Sequence, residues 1–139
     1  MKESTITRDW KHFIEKKRPA STECYEIKIV DLSKKVKSFA FNRVADHQVL
    51  GLTNSLEGLW LNIPDTAASN GFSSQKPFDV IWIKAYSASV VIVFYMPRRF
   101  KKAIKIPIKN FIKIRDNWKR KSIRMGELEI QSGVEVFYL

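Results

Sequence analysis

The segment SVVIVFYM (89–96) is the longest apolar run in the chain, and it constrains the fold more than any other feature. From Val90 to Tyr95 no polar residue interrupts it. A strand with one wet face alternates apolar and polar residues, so this run reads as a strand covered on both faces at the centre of a sheet. It is far short of the ~20 residues that cross a bilayer. Together with the preceding FDVIWI it reads as two strands, 78–96, joined by a tight turn around Tyr86–Ala88, with Asp79 at the start of the pair.

The rest of the chain supplies what such a strand needs. Of 139 residues 45% are hydrophobic and 12% aromatic, which suits one domain, 1–139, with a true core, and argues against disorder. Ile6, Trp10, Phe13 and Ile14 recur at spacings of three and four, predicting an amphipathic helix over 5–17 that Pro19 closes. TECYEIKIVD reads as a strand, VKSFAF contains a short one, and Asn42 is placed to cap a helix running to about Ser55. That helix carries the stripe Ala45, Val49, Leu52, Leu56, with Gly58 just past its end. LWLNIP (59–64) is another strand, 65–77 a long polar loop, and KAIKIPI (102–108) a further strand. A basic helix, KNFIKIRDNWKRK, and a last strand, VEVFYL, complete the chain. The order describes an α/β fold, a mixed sheet flanked by helices. Trp10, Trp60 and Trp82 lie in apolar patterns and are expected in the core.

Charge narrows the partners. Lys and Arg number 25 against 14 acids, a net +11. The cations cluster at 15–19, 34–37 (Lys34, Lys35, Lys37), 97–102 (Arg98, Arg99, Lys101, Lys102) and 119–124 (Lys119, Arg120, Lys121 among them). A phosphate backbone is the common partner of such a surface, bound through counterion release. An anionic membrane is the alternative, but no basic amphipathic helix here is long enough to favour lipid. Trp118, inside RDNWKRK, is placed to stack on bases or to anchor the helix. The N-terminus has no apolar core of a signal peptide, and the single cysteine, Cys24, rules out a disulfide within the chain. The expected compartment is cytoplasmic and reducing.

Glu26 and Lys28 are the residues that fit least with a plain core strand. Side chains two apart on a strand share a face, about 6.5–7 Å apart along the chain. Their burial is costly unless they are paired or bind something. A solvated ion pair on the outer face of an edge strand is the plain structural alternative. The helix that follows holds His47 and Gln48. On a wheel of ~3.6 residues per turn Gln48 flanks the apolar stripe by about 60°, whereas His47 falls nearly opposite, towards solvent or a nucleic acid.

Glu26-x-Lys28, then His47-Gln48, then Lys76-Pro77-Phe78-Asp79, then VVIVFY, with RKSI at 120–123, is an ordered set that resembles the Holliday-junction-resolvase-like nucleases. More narrowly it is similar to the small phage and bacterial proteins related to the RecU recombination family. The resemblance spans about residues 22–125 and implies a restriction-endonuclease-like, PD-(D/E)xK fold. It implies a metal-dependent DNA endonuclease, with branched or double-stranded DNA as substrate and a symmetric homodimer. Glu26 would bind Mg²⁺ or Mn²⁺, Lys28 would act on water and phosphate, and Gln48 would orient the site. The family pattern places a metal-binding Asp on a strand before Glu-x-Lys, and here that stretch is a helix and a turn. Asp79 is the first candidate replacement, Asp65 the second, and Glu15 an outer ligand. Without a second carboxylate the chain would be a non-catalytic nucleic-acid-binding relative. A basic module that binds another protein, as an inhibitor does, is the third reading.

Overall fold

The computed structural model describes residues 2–17, 22–64 and 78–139. The expected loop 65–77, with Asp65 in it, and Pro19 lie outside the described residues. Helix α1 (Glu3–Lys17) is followed by β1 (Glu23–Asp31), β2 (Ser38–Ala40), a 3₁₀ turn at Phe41–Arg43 and α2 (Asp46–Ser55). Next come β3 (Leu59–Asn62), β4 (Val80–Ile83), β5 (Ser87–Met96) and β6 (Phe100–Pro107). The chain ends with α3 (Ile108–Asn117), β7 (Ser122–Arg124), α4 (Met125–Leu128) and β8 (Glu135–Tyr138). The architecture is mixed α/β. The main sheet runs β1-β5-β6-β8, with β1 parallel to β5 and the other neighbours antiparallel.

The apolar run occupies the interior position that its composition demands. Ala88 to Tyr95 are buried without interruption. Side chains alternate across the sheet, so Val90, Ile92 and Phe94 join Ile104, Ile106, Leu52 and Phe111 on one face, beneath α2 and α3. Val91 and Val93 meet Ile6 and Trp10 of α1 on the other. The α1 stripe is thus core, and Trp10 stacks on Phe13 and meets Tyr25 and Phe137 edge-on at centroid distances of 5.4, 5.3 and 6.0 Å.

Three expectations are corrected. The segment 78–96 is not a hairpin. β4 pairs with β3 in a separate two-stranded ribbon, and β5 alone enters the main sheet. Asp79 therefore opens a ribbon strand, not a strand near the sheet centre. For the same reason Trp60 and Trp82 are not core residues: they face each other across the ribbon, 70% and 50% exposed. Asn42 does not cap α2. Residues 41–43 form the 3₁₀ turn, Ala45 holds the capping position, and the Gln48 side chain accepts the Ala45 N–H at 2.9 Å. Gly58 does close the end of α2. Its φ of +111° suits glycine, and a methyl group there would meet the Trp82 ring at 2.5 Å. No helix among the described residues is long and apolar enough to cross a membrane.

Ile92 is fully buried between the sheet and the layer of α2 and α3. Ile92→Ala is expected to lower the unfolding free energy by about 2–5 kcal/mol, from lost transfer energy plus the cavity left behind. A denaturant melt with an unchanged slope and a lowered midpoint is the expected record.

Candidate functional site

β1 is the edge of the main sheet among the described residues, and its two faces have different neighbours. Tyr25, Ile27 and Ile29 pack towards α1, while Cys24 and Val30 pack beneath α2 and α3. Alternation puts Glu26 and Lys28 on the latter face, beside Val90 and Ile92 in the parallel register. The pair does not lie open to water: the side chains of Lys28 and Glu26 are 14% and 23% exposed.

Three side chains converge there. Lys28 Nζ lies 2.8 Å from Glu26 Oε1, and Gln48 Nε2 donates to the same oxygen at 2.7 Å. Because the Gln48 amide oxygen is held by the Ala45 N–H, its nitrogen can point only outwards from the helix end, at the carboxylate. Both of these contacts reach Oε1 of Glu26. Arg43, in the 3₁₀ turn, donates to the Ile29 carbonyl at 2.7 Å and ties that turn to the same strand.

The other expected residues are spread more widely. His47 is exposed, as the helical wheel requires. Asp79 is exposed in the separate ribbon, and its carbonyl accepts the Ile63 N–H at 2.8 Å. Glu15 lies on α1, across the sheet from Glu26, beside His12 at 3.6 Å. Among the described residues no group of three or more His, Cys, Asp and Glu side chains is placed to hold a metal ion.

The basic clusters divide. Lys101 and Lys102 are neutralised within the fold, by Asp9 at 2.6 Å and Glu129 at 2.9 Å. Lys34, Lys35, Lys37, Lys119, Lys121, Arg98 and Arg99 are exposed, as is Arg120, which pairs with Glu127. Two of these clusters, some eighty residues apart in sequence, are zipped together by the short β2–β7 ribbon, where Ser38 and Ser122 touch at 3.3 Å. Neither strand exceeds three residues, so their pairing left little periodicity in the sequence to read.

A second polar cluster, on the α1 face, went unforeseen. Glu23 accepts hydrogen bonds from the Tyr25 hydroxyl and from Ser87 Oγ, the latter at 2.9 Å, and Lys105 Nζ stands 3.7 Å away. Burial works to raise the Glu23 carboxyl, but the Tyr25 and Ser87 bonds and Lys105 together hold it below its ordinary value. Burial and the Glu23 carboxylate push the Tyr25 hydroxyl well above its ordinary range. Only the spacing of Glu23 and Tyr25 on one strand was available in the sequence. The other two partners arrive through the pairing of β5 and β6.

The fold and this site define a mixed-sheet α/β protein with a half-buried acid–lysine–amide cluster on an edge strand. Compared with protein-family models, curated proteins and solved structures, the chain matches none.

The lowered Glu23 carboxyl makes a pH dependence. Its folded value lies below the ordinary 4.5, so its stabilisation is complete above that pH and is lost as pH falls through the folded value. Glu23→Gln is expected to be less stable than the wild type at neutral pH. The two should converge as pH falls below the ordinary carboxylate value and Glu23 becomes protonated in the folded state, as denaturant midpoints at each pH would show.

Proposed function

We propose that this chain is a DNA-binding protein of restriction-endonuclease-like fold, and that Glu26, Lys28 and Gln48 are the acid, lysine and orienting amide of a metal-dependent endonuclease centre. One observation carries the reading. Lys28 and Gln48, from two elements, meet on a single carboxylate oxygen in a half-buried position, in the roles the family resemblance implies.

The residues suit a hard cation to this extent: Glu26 is a half-buried carboxylate held in one orientation by Gln48, with hard oxygen donors to offer. Mg²⁺ keeps several waters and is held by one or two carboxylates plus substrate phosphate oxygens, so it needs no larger protein cage. When bound, the cation would polarise water and offset charge on the phosphate. The chain's own groups do the rest. Gln48 fixes the rotamer of Glu26. The Lys28 ammonium stands where it can stabilise charge on a phosphate oxygen brought up to the carboxylate. The exposed cations of 34–37, 98–99 and 119–121 contact backbone phosphates and position the duplex without reading bases. A second carboxylate would come from Asp79 or Asp65, and a homodimer would be needed to cut two strands of a branched substrate.

A second reading, a non-catalytic DNA-binding protein, has its own support in the lack of a three-ligand group among the described residues. Plasmid nicking with Mg²⁺ or Mn²⁺ separates the two. Nicking by the wild type is expected, with losses of about 100-fold or more in Glu26→Ala and Lys28→Ala and of about tenfold in Gln48→Ala. Salt-dependent binding should survive in all three. Asp79→Ala tests the second carboxylate in the same assay. Binding without any nicking would leave the non-catalytic reading, and no DNA binding at low salt would leave the protein-binding module.

Arg98 provides an independent check on the binding surface. It follows Pro97 in the β5–β6 turn with a φ of +61°, a conformation that favours glycine or asparagine, and Arg99 N–H closes the turn on the Met96 carbonyl at 3.0 Å. Arg98→Gly relieves that strain and is expected to stabilise the fold by about 0.5–1 kcal/mol. DNA affinity should nonetheless fall, with the slope of log K against log salt reduced by about 0.9.

A further inference from the structure

We infer that the concavity between the 3₁₀ turn and the α3–β7 connection is a site for an unpaired nucleotide of a DNA strand, an inference that rests on the DNA-binding reading above. The concavity has a volume of about 540 Å³, within the range of small-ligand pockets. Its floor is apolar: Phe41 and Val44 are buried, and the half-buried Trp118 packs against the same core. Its rim is cationic, formed by Arg115, Lys119, Arg120 and Lys121. An apolar aromatic floor beneath a cationic rim matches a base and its phosphate, and neither a bare phosphate nor an apolar ligand uses both parts.

The geometry is built in advance. Trp118 ends α3, with its backbone N–H on the Ile114 carbonyl at 2.9 Å and its indole N–H on the Ser122 carbonyl at 3.1 Å. The Arg120 guanidinium lies over the indole ring, 5.7 Å from its centre, and is paired with Glu127. An arginine plane backed by an aromatic ring is a stacking platform for a base. The opposite wall is fixed by the Phe41 N–H to the Lys121 carbonyl at 3.1 Å, which continues the β2–β7 ribbon. Asp46, the one acid at the rim, repels phosphate but accepts an N–H from a base edge. A paired base cannot reach such a floor, so the pocket favours strand ends, overhangs or branch points over continuous duplex.

The test is fluorescence anisotropy in EDTA, comparing a labelled blunt duplex with the same duplex carrying a short single-stranded overhang. The wild type is expected to bind the overhang about tenfold more tightly, the scale of one base stacked on the Arg120–Trp118 platform. Trp118→Ala should lose most of that preference and hold the blunt duplex within about twofold. Trp118→Phe, which keeps a ring and much of the packing, should retain part of it, so a folding defect is distinguishable. Lys119→Ala with Lys121→Ala, both exposed, should weaken binding and lower the salt slope by about 1.8. Equal affinity of the wild type for both DNAs, or parallel losses on both in Trp118→Ala, would overturn the pocket while leaving DNA binding intact. Failure of the wild type to bind either DNA at low salt would overturn both.

Discussion

The parallel pairing of β1 with β5 organises this molecule. Two parallel strands cannot be joined by a tight turn; the chain must leave the sheet, cross a face and return. Here the crossing carries α2, which the buried run Ala88–Tyr95 requires as cover on that side. The cover is also the positioning device. With Leu52 buried and Val49 and Leu56 packed on the core, the helix has one rotational setting, and in that setting Gln48 meets Glu26. The same burial that stabilises the sheet centre thus fixes the third member of the cluster at its edge.

The surplus charge is not spread evenly. Lysines on the strands are matched to acids: Lys28 to Glu26, Lys101 to Asp9, Lys102 to Glu129 and Lys105 to Glu23. These are half-buried positions, where an unpaired ammonium would carry a desolvation penalty. The net +11 therefore comes to the surface in turns and connections, chiefly 34–37, 98–99 and 119–121. The β2–β7 ribbon then sums two of these groups into one field. Long-range attraction of a polyanion depends on such summed charge more than on any single contact.

What could be read from the sequence was what depends on local periodicity. The α1 stripe, the interior strand, the glycine after α2 and the opposed fates of His47 and Gln48 all follow from spacings within one element. The failures lie where partners come from elsewhere. Trp60 and Trp82 look like core because their strands are apolar, but β4 pairs with β3 and leaves the main sheet, which no local pattern signals. Asn42 has the chemistry of a cap, yet Gln48 satisfies the helix start from inside and makes an alanine acceptable there. Strands β2 and β7, three residues each, are too short for alternation to mean anything, although they assemble much of the basic surface. The Glu23 cluster depends on residues brought in by two further strands.

An acid and a lysine pointing inwards on an edge strand have a purely structural use. Inward charges discourage another chain from adding itself to the open edge. Glu26 and Lys28 alone would serve that purpose, since each neutralises the other and neither needs a set orientation. Gln48 changes the balance. Its amide is locked by the Ala45 N–H and donates to the oxygen that Lys28 also approaches, so the carboxylate is held in a fixed direction. Edge protection gains nothing from that constraint and loses side-chain entropy to it. The nuclease centre proposed above, which must hold a carboxylate beside an ammonium without rearrangement when a phosphate arrives, would gain from it directly.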